Sequence, residues 1–210
     1  MNYTNVVWDF NGTLMDDVGI SILTVNDMLE KRGMPLTDKK EYFEKIEMPI
    51  IRYYEKMFDF NVTSLTELTR EFQEGYDRYL DSAKVAEGAI PLMEKLKQKG
   101  VEQVIISSFP TEKIKKICED KGIISYFSAI LGADDIKAES KVERGKAYMN
   151  SLPEGARVVA IGDLLHDFEM AKAMGADCIL YAGGHQSKKD LSAVGVPVAE
   201  NMAEIEKLIL

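Results

Sequence analysis

The sequence predicts an α/β protein: a doubly wound parallel sheet with an all-helical insert after the first strand. Three observations carry that prediction. Short apolar runs rich in β-branched residues each lead into Gly, Ser or Asp, helical patterns separate them, and the alternation is interrupted once, over residues 16–86.

The runs are "NVVWDF" (5–10), "VEQVIIS" (101–107), "AILGA" (129–133), "RVVAIGD" (157–163) and "DCILYAG" (177–183). Near-continuous apolar strands of this length suit a parallel sheet covered on both faces. Between them, "EGAIPLMEKLKQKG" stops at Gly100 and "TEKIKKICEDKG" at Gly122. "SKVERGKAYMNSL" opens with a capping box from Ser140 to Glu143, and "HDFEMAKAMG" closes on Gly175. The interruption shows amphipathic helix and no strand. Val18, Ile22, Val25 and Leu29 share one face, as do Leu65, Leu68, Phe72, Tyr76 and Leu80 after a Ser64/Glu67 capping box. The expected division is a core of residues 1–15 and 87–210 and a helical domain of residues 16–86. An insert at that point hangs over the C-terminal ends of the strands, where open α/β sheets bind ligands, so it is a candidate lid.

With 210 residues, 46% of them hydrophobic, and a mean hydropathy of -0.16, the chain suits one core with a small appendage. A net charge of -9 argues against a nucleic-acid partner, whose phosphates most of the surface would repel. No apolar run approaches the roughly 18–20 residues that span a bilayer, so no membrane partner is expected. The opening "MNYTNVVWDFNG" lacks a charged segment leading into an apolar one, and the cytoplasm is the default location. Cys118 and Cys178 fall in different elements without metal-ligand spacing, as reduced, buried small hydrophobes would. Monomer and homodimer both stay open.

Four groups converge at the C-terminal edge of the expected sheet. Asp9 and the turn Asn11-Gly12-Thr13 follow the first strand, Ser107 and Ser108 the second. Lys141 sits in the first turn of the helix after the third, and Asp163 and Asp167 follow the fourth, in "GDLLHD". Carboxylates with a backbone carbonyl suit a hard octahedral ion such as Mg2+, which also takes phosphate oxygens and waters. A lysine and hydroxyls suit phosphate oxygens, and an aspartate set against a metal-held phosphorus can act as a nucleophile. Ser107 and Ser108 compete for one place, Lys137 competes with Lys141, and Asp167 also suits a helix N-cap.

"DFNGTL", "IISS", the helix-starting lysine and "GDLLHD" resemble, in order and spacing, the four motifs of the haloacid dehalogenase (HAD) superfamily of phosphohydrolases. The insert resembles that superfamily's helical cap of the phosphoglycolate phosphatase/phosphomutase type. The resemblance implies a HAD-like core, a small phosphorylated metabolite as substrate and Mg2+ as cofactor. It implies that Asp9 attacks phosphorus and binds the metal, that the backbone carbonyl of Asn11 is a metal ligand, and that Gly12 and Thr13 fix the first motif around the phosphate. Ser107, with Ser108 beside it, would bind a phosphate oxygen. Lys141 would neutralise Asp9 and the phosphoryl group, Asp163 would bind the metal, and Asp167 would complete its water shell or orient the lysine.

Asn11 departs from the pattern. The family's second aspartate in the first motif protonates the leaving alcohol and then activates water, which an amide with no titratable proton does not do. Metal and phosphate binding survive that change, while turnover slows. His166, inside "GDLLHD", is the first candidate to transfer the proton instead, with His185 in "YAGGHQS" the second. The plainer reading packs His166 at a helix start.

Within the insert, "FEKIEMPIIRYYEKM" falls where related caps present a specificity loop, making Lys45, Glu47 and Arg52 candidates for touching the substrate body. Ordinary surface helix charges are the plainer reading of each. The expected activity is thus a Mg2+-dependent phosphatase. Rival readings are a phosphomutase, a phosphonate hydrolase using Lys45 as its Schiff base, and a non-catalytic phosphometabolite binder.

Overall fold

A computed structural model describes residues 3–47, 50–133 and 140–210. Six strands form one parallel sheet: β1 (Asn5–Trp8), β4 (Glu102–Pro110), β5 (Ala129–Ala133), β6 (Val158–Gly162), β7 (Asp177–Tyr181) and β8 (Val198–Ala199). Their spatial order is β5-β4-β1-β6-β7-β8. The chain therefore builds outward from β1 on one side, then returns and builds outward on the other. That reversal makes the gap between β1 and β6 the topological switch point, where doubly wound sheets bind ligands.

Both strands flanking the gap are buried along their whole length, and Val6, Val7 and Trp8 have no exposed surface. Parallel strands need helices on both faces; the crossovers supply α5 (Ala89–Gln98), α6 (Thr111–Asp120), α7 (Lys141–Ser151), α8 (Leu165–Met174) and α9 (Lys188–Leu191), and α10 (Met202–Ile209) follows the last strand. One core cluster joins Val7, Val104, Ile106, Ala160 and Leu180 of the sheet to Met170, Ala171 and Met174 of α8. The trace satisfies the sequence signals at the helix ends. Ser140 Oγ accepts the Glu143 N–H at 3.2 Å, and Gly175 closes α8 at φ 70°.

The chain divides into two compact units, Met1–Asp16 with Val85–Leu210, and Asp17–Lys84. The second contains α1 (Val18–Glu30), α2 (Lys39–Lys45), α3 (Ile50–Glu55) and α4 (Leu65–Tyr79). Its own core is aromatic, with Tyr42, Tyr53, Tyr54 and Phe58 packed among Val18, Val25, Met28, Leu29 and Leu68. Leu80, expected on the α4 face, falls beyond that helix in a 3-10 turn.

Three strands have no counterpart in the sequence reading. Met15–Asp16 (β2) and Lys84–Val85 (β3) pair as a two-stranded sheet, so the stretch from 16 to 86 is not wholly without strand, and β8 adds a sixth strand to the main sheet. Each is two residues long, too short for a period of two to register. Ser107 and Ser108 also lie within β4 rather than after it. Pairing to β5 is in register to Ile106 and resumes only at Pro110, so the strand outlasts its apolar run.

Candidate active site

The end of β1 delivers Asp9 to the switch point, where its N–H bonds the Ile161 carbonyl of β6 at 2.8 Å and its side chain is buried. The end of β6 delivers Asp163, and the first turn of α8 delivers Asp167. Lys141, the first residue of α7, hydrogen-bonds both Asp9 and Asp167 through Nζ. Asp9, Asp163 and Asp167 each offer an oxygen within 4.8 Å of the others, and all are buried.

Both Asp163 oxygens and the second Asp167 oxygen have defined partners. Thr13 Oγ1 donates to Asp163 Oδ1 at 2.9 Å and the His185 N–H to Asp163 Oδ2 at 2.7 Å. Asp167 Oδ2 accepts the Leu164 N–H at 2.9 Å, which makes it a helix-start acceptor as well as a partner of the lysine. Glycine makes the approach possible. A Cβ on Gly12, whose φ is 73°, would lie 2.2 Å from Asp163 Oδ2, one on Gly184 2.3 Å from the same atom, and one on Gly162 2.1 Å from Asp167 Cγ. These backbone segments are in effect moulded around two carboxylates.

The electrostatics are unbalanced. Among the described residues, three buried carboxylates face one ammonium. Burial holds the Asp9 carboxyl well above its usual range; Lys141 pulls the other way, and Asp167 and Asp163 add to the rise. Burial likewise pushes Asp163 up to about 6, opposed by His185 and the Thr13 hydroxyl and reinforced by Asp167. For Lys141, burial acts to lower the pKa, but Asp167 and Asp9 outweigh it and hold the ammonium charged. A second cation against these oxygens would relieve the excess. All-oxygen donors at this spacing fit a hard divalent ion, and the glycine mould keeps them there.

The remaining sequence candidates are placed as follows. Ser107 is buried and Ser108 exposed, and the Ser107 Oγ accepts the Phe109 N–H at 3.1 Å. That bond occupies an acceptor site of the hydroxyl and leaves its proton to donate. Asn11 is half-buried and bridges to Met15 in the turn. His166 lies within the first turn of α8, not in a loop, and is half-buried. His185 is in a loop, buried, and its ring stands against Gly12. Lys137 lies outside the described residues. In the helical unit, Glu47 pairs with Lys56 at 2.7 Å, Arg52 with Glu55 at 3.3 Å, and the Lys45 carbonyl accepts from Lys56 at 2.9 Å.

Sequence reasoning missed the backbone of His185, the glycines at 162 and 184, and Gln186, whose Oε1 accepts the Leu165 N–H at 2.6 Å. The doublet Gly183-Gly184 before the buried His185 was the available signal of close backbone approach.

Residues 6–181 match the family described as haloacid dehalogenase-like hydrolase, and the chain belongs to that family. It is similar to a phosphoglycolate phosphatase of Photorhabdus laumondii, 27% identical over 184 residues, covering 83% of this chain and 78% of the relative. The probable phosphatase IndB of Dickeya dadantii is 27% identical over 195 residues, covering 90% and 85%. Among solved structures, a haloacid dehalogenase-like family hydrolase of Streptococcus pneumoniae superposes with a TM-score of 0.83 at 19% identity, covering 98% of both chains, a likeness of fold. No helix among the described residues is long and apolar enough to cross a membrane.

Proposed function

We propose that the chain is a Mg2+-dependent phosphatase acting on small phosphorylated metabolites, with Asp9 as nucleophile and a turnover lowered by Asn11. The observation that carries this reading is the buried set Asp9, Asp163 and Asp167, at the switch point of the sheet, with Lys141 bonded to two of its three carboxylates. Asp9, Asp163, Asp167 and the backbone carbonyl of Asn11 would hold Mg2+, which supplies charge neutralisation at the phosphate oxygens when bound.

In the first step an Asp9 oxygen bonds to phosphorus as the ester P–O bond breaks, leaving an aspartyl-phosphate and an alkoxide that takes a proton from solvent. Water then attacks the phosphorus, inorganic phosphate leaves, and the Asp9 carboxylate is regenerated. Lys141 offsets charge on Asp9 and on the phosphoryl oxygens, and Ser107 donates its free hydroxyl proton to one of them. Gly12 and Thr13 keep Asp163 in place. No side chain of the first motif transfers the two protons, because Asn11 carries an amide. Esters with good leaving groups are therefore the better substrates. The helical unit, Asp17–Lys84, serves as cap, with Lys45, Glu47 and Arg52 reading the substrate body. Swapping that segment should change substrate preference more than affinity for inorganic phosphate.

The amide at position 11 also favours a second reading, a phosphometabolite binder without turnover. A panel of phosphorylated metabolites with p-nitrophenyl phosphate, assayed in Mg2+ with wild type, Asp9→Asn and Asn11→Asp, separates them. Turnover by wild type and none by Asp9→Asn supports the phosphatase; phosphate binding with no turnover by any of the three supports the binder.

A further inference from the structure

Three residues past Lys141 on α7, Arg144 reaches back to the sheet. Its Nη2 donates to the backbone carbonyl of Ser107 at 2.8 Å. The spacing puts both cations on one side of the helix, one turn apart. Ser107 falls in the stretch where β4 loses register with β5, between Ile106↔Leu131 and Pro110↔Ala133. A side chain here supplies what the ladder does not. The same break is patched on the β5 side by Thr111, whose Oγ1 accepts the Gly132 N–H at 3.1 Å.

α7 is fixed on a second side too. A Cβ on Gly145 would meet Met174 Sδ at 2.8 Å and Met170 Cγ at 2.9 Å, so α7 and α8 pack as close as a glycine allows. Two neighbouring residues thus set the helix that carries Lys141, Gly145 against α8 and Arg144 against β4. Of these, only Arg144 ties Lys141's helix directly to the strand that carries the Ser107 hydroxyl.

We propose that Arg144 is a positioning residue, which by holding the Ser107 carbonyl keeps the Ser107 hydroxyl and the Lys141 ammonium at the separation a phosphoryl group needs. This rests on the phosphatase reading for its catalytic consequence, though not for the tie itself. Arg144 acts through the Ser107 carbonyl. A misplacement of about 1 Å in such a pair costs about 100-fold in rate, so loss of the tie should cost about 10- to 100-fold.

The test uses Arg144→Met, which keeps the apolar stem and removes the donors, and Arg144→Lys, which restores one donor. Their readouts are the Ser108 amide nitrogen shift, which reports the hydrogen bond on the Ser107 carbonyl, inorganic phosphate affinity in Mg2+, and p-nitrophenyl phosphate kinetics. Arg144→Met should move the Ser108 resonance, weaken phosphate binding and lower kcat, with Arg144→Lys recovering part of each. Combining Arg144→Met with Ser107→Ala should cost no more than Ser107→Ala alone, since Arg144 acts by placing the hydroxyl that the alanine removes. An unmoved Ser108 resonance in Arg144→Met, or losses that add in the double variant, would overturn the proposal. Should wild type hydrolyse no ester, the phosphatase reading falls, and the amide shift with phosphate affinity still decides Arg144.

Discussion

Lys141 and Asp9 form a buried ion pair between residues 132 positions apart, closing the first turn of α7 onto the end of β1. The two members differ in what their loss does. Lys141→Met leaves Asp9, Asp163 and Asp167 buried without their ammonium, and breaking a buried pair from one side costs about 3–5 kcal/mol. Asp9→Asn removes a charge that burial already disfavours and keeps an acceptor for the lysine. Thermal midpoints in EDTA should therefore order Asp9→Asn at or above wild type and Lys141→Met below it. Both variants should lose phosphatase turnover. A stable, active Lys141→Met would show that the pair matters to neither.

Much of this pair was legible in the sequence, and the reasons are local. "VVWDF" reads as a buried strand running into a carboxylate, and the Ser140/Glu143 capping box places Lys141 at the start of a helix. "GDLLHD" likewise supplies two acids at a strand-to-helix junction. What stayed hidden depends on neighbours remote in sequence. The His185 N–H on Asp163 and the Arg144 bond to Ser107 come from segments 22 and 37 residues away and carry no periodic pattern. Strands β2, β3 and β8 are pairings of two residues, fixed by what lies beside them. The separation of buried Ser107 from exposed Ser108 follows from the pleat of a strand that the apolar run alone ends too early.

Metal addition should stabilise the protein more as pH rises. The Asp163 carboxyl is raised by burial from 3.8 to about 6 in the folded chain, against an ordinary value when unfolded. The folded state thus holds this proton more tightly, a stabilisation fully present below the unfolded pKa and lost as pH climbs through about 6. A shift of that size corresponds to about 3 kcal/mol. Once ionised, Asp163 lies against Asp167 and Asp9 with no second cation beside it among the described residues, and Mg2+ would answer that repulsion. The increase in thermal midpoint on adding Mg2+ should be small at pH 5 and larger at pH 7.5, and EDTA should reverse it. An equal increase at both values would mean the ion binds elsewhere.

Asn11→Asp should raise kcat. A carboxyl at that position restores proton transfer to the leaving alcohol and from water, a gain of about 10²–10⁴-fold. The gain should be largest for esters with poor leaving groups and smallest for p-nitrophenyl phosphate, whose leaving group departs without help. Mg2+ affinity should change little, since position 11 is proposed to bind through its backbone. Single-turnover and steady-state rates on an alkyl and an aryl phosphate check this, and an equal gain on both would show that the carboxyl acts by some route other than proton transfer.

Gly184→Ala should uncouple the metal from the fold. The added Cβ would lie 2.3 Å from Asp163 Oδ2 and 2.4 Å from its Cγ, so the carboxylate must swing away from Asp9 and Asp167. Asp163 Cβ lies 2.4 Å away as well and no side-chain rotation moves it, so the Gly184 loop and the end of β6 must also ease apart locally. Groups that orient metal ligands are worth about 10- to 100-fold in affinity, and a direct clash on a ligand should cost at least that. Gly19→Ala supplies the contrast: its Cβ meets nothing within 4 Å, and in α1 an alanine gains up to about 1 kcal/mol of helix propensity. Calorimetric titration of both variants with Mg2+, alongside melting in EDTA, should show Gly19→Ala binding like wild type. Gly184→Ala should bind weakly while melting cooperatively. Wild-type affinity in Gly184→Ala would place the metal away from Asp163.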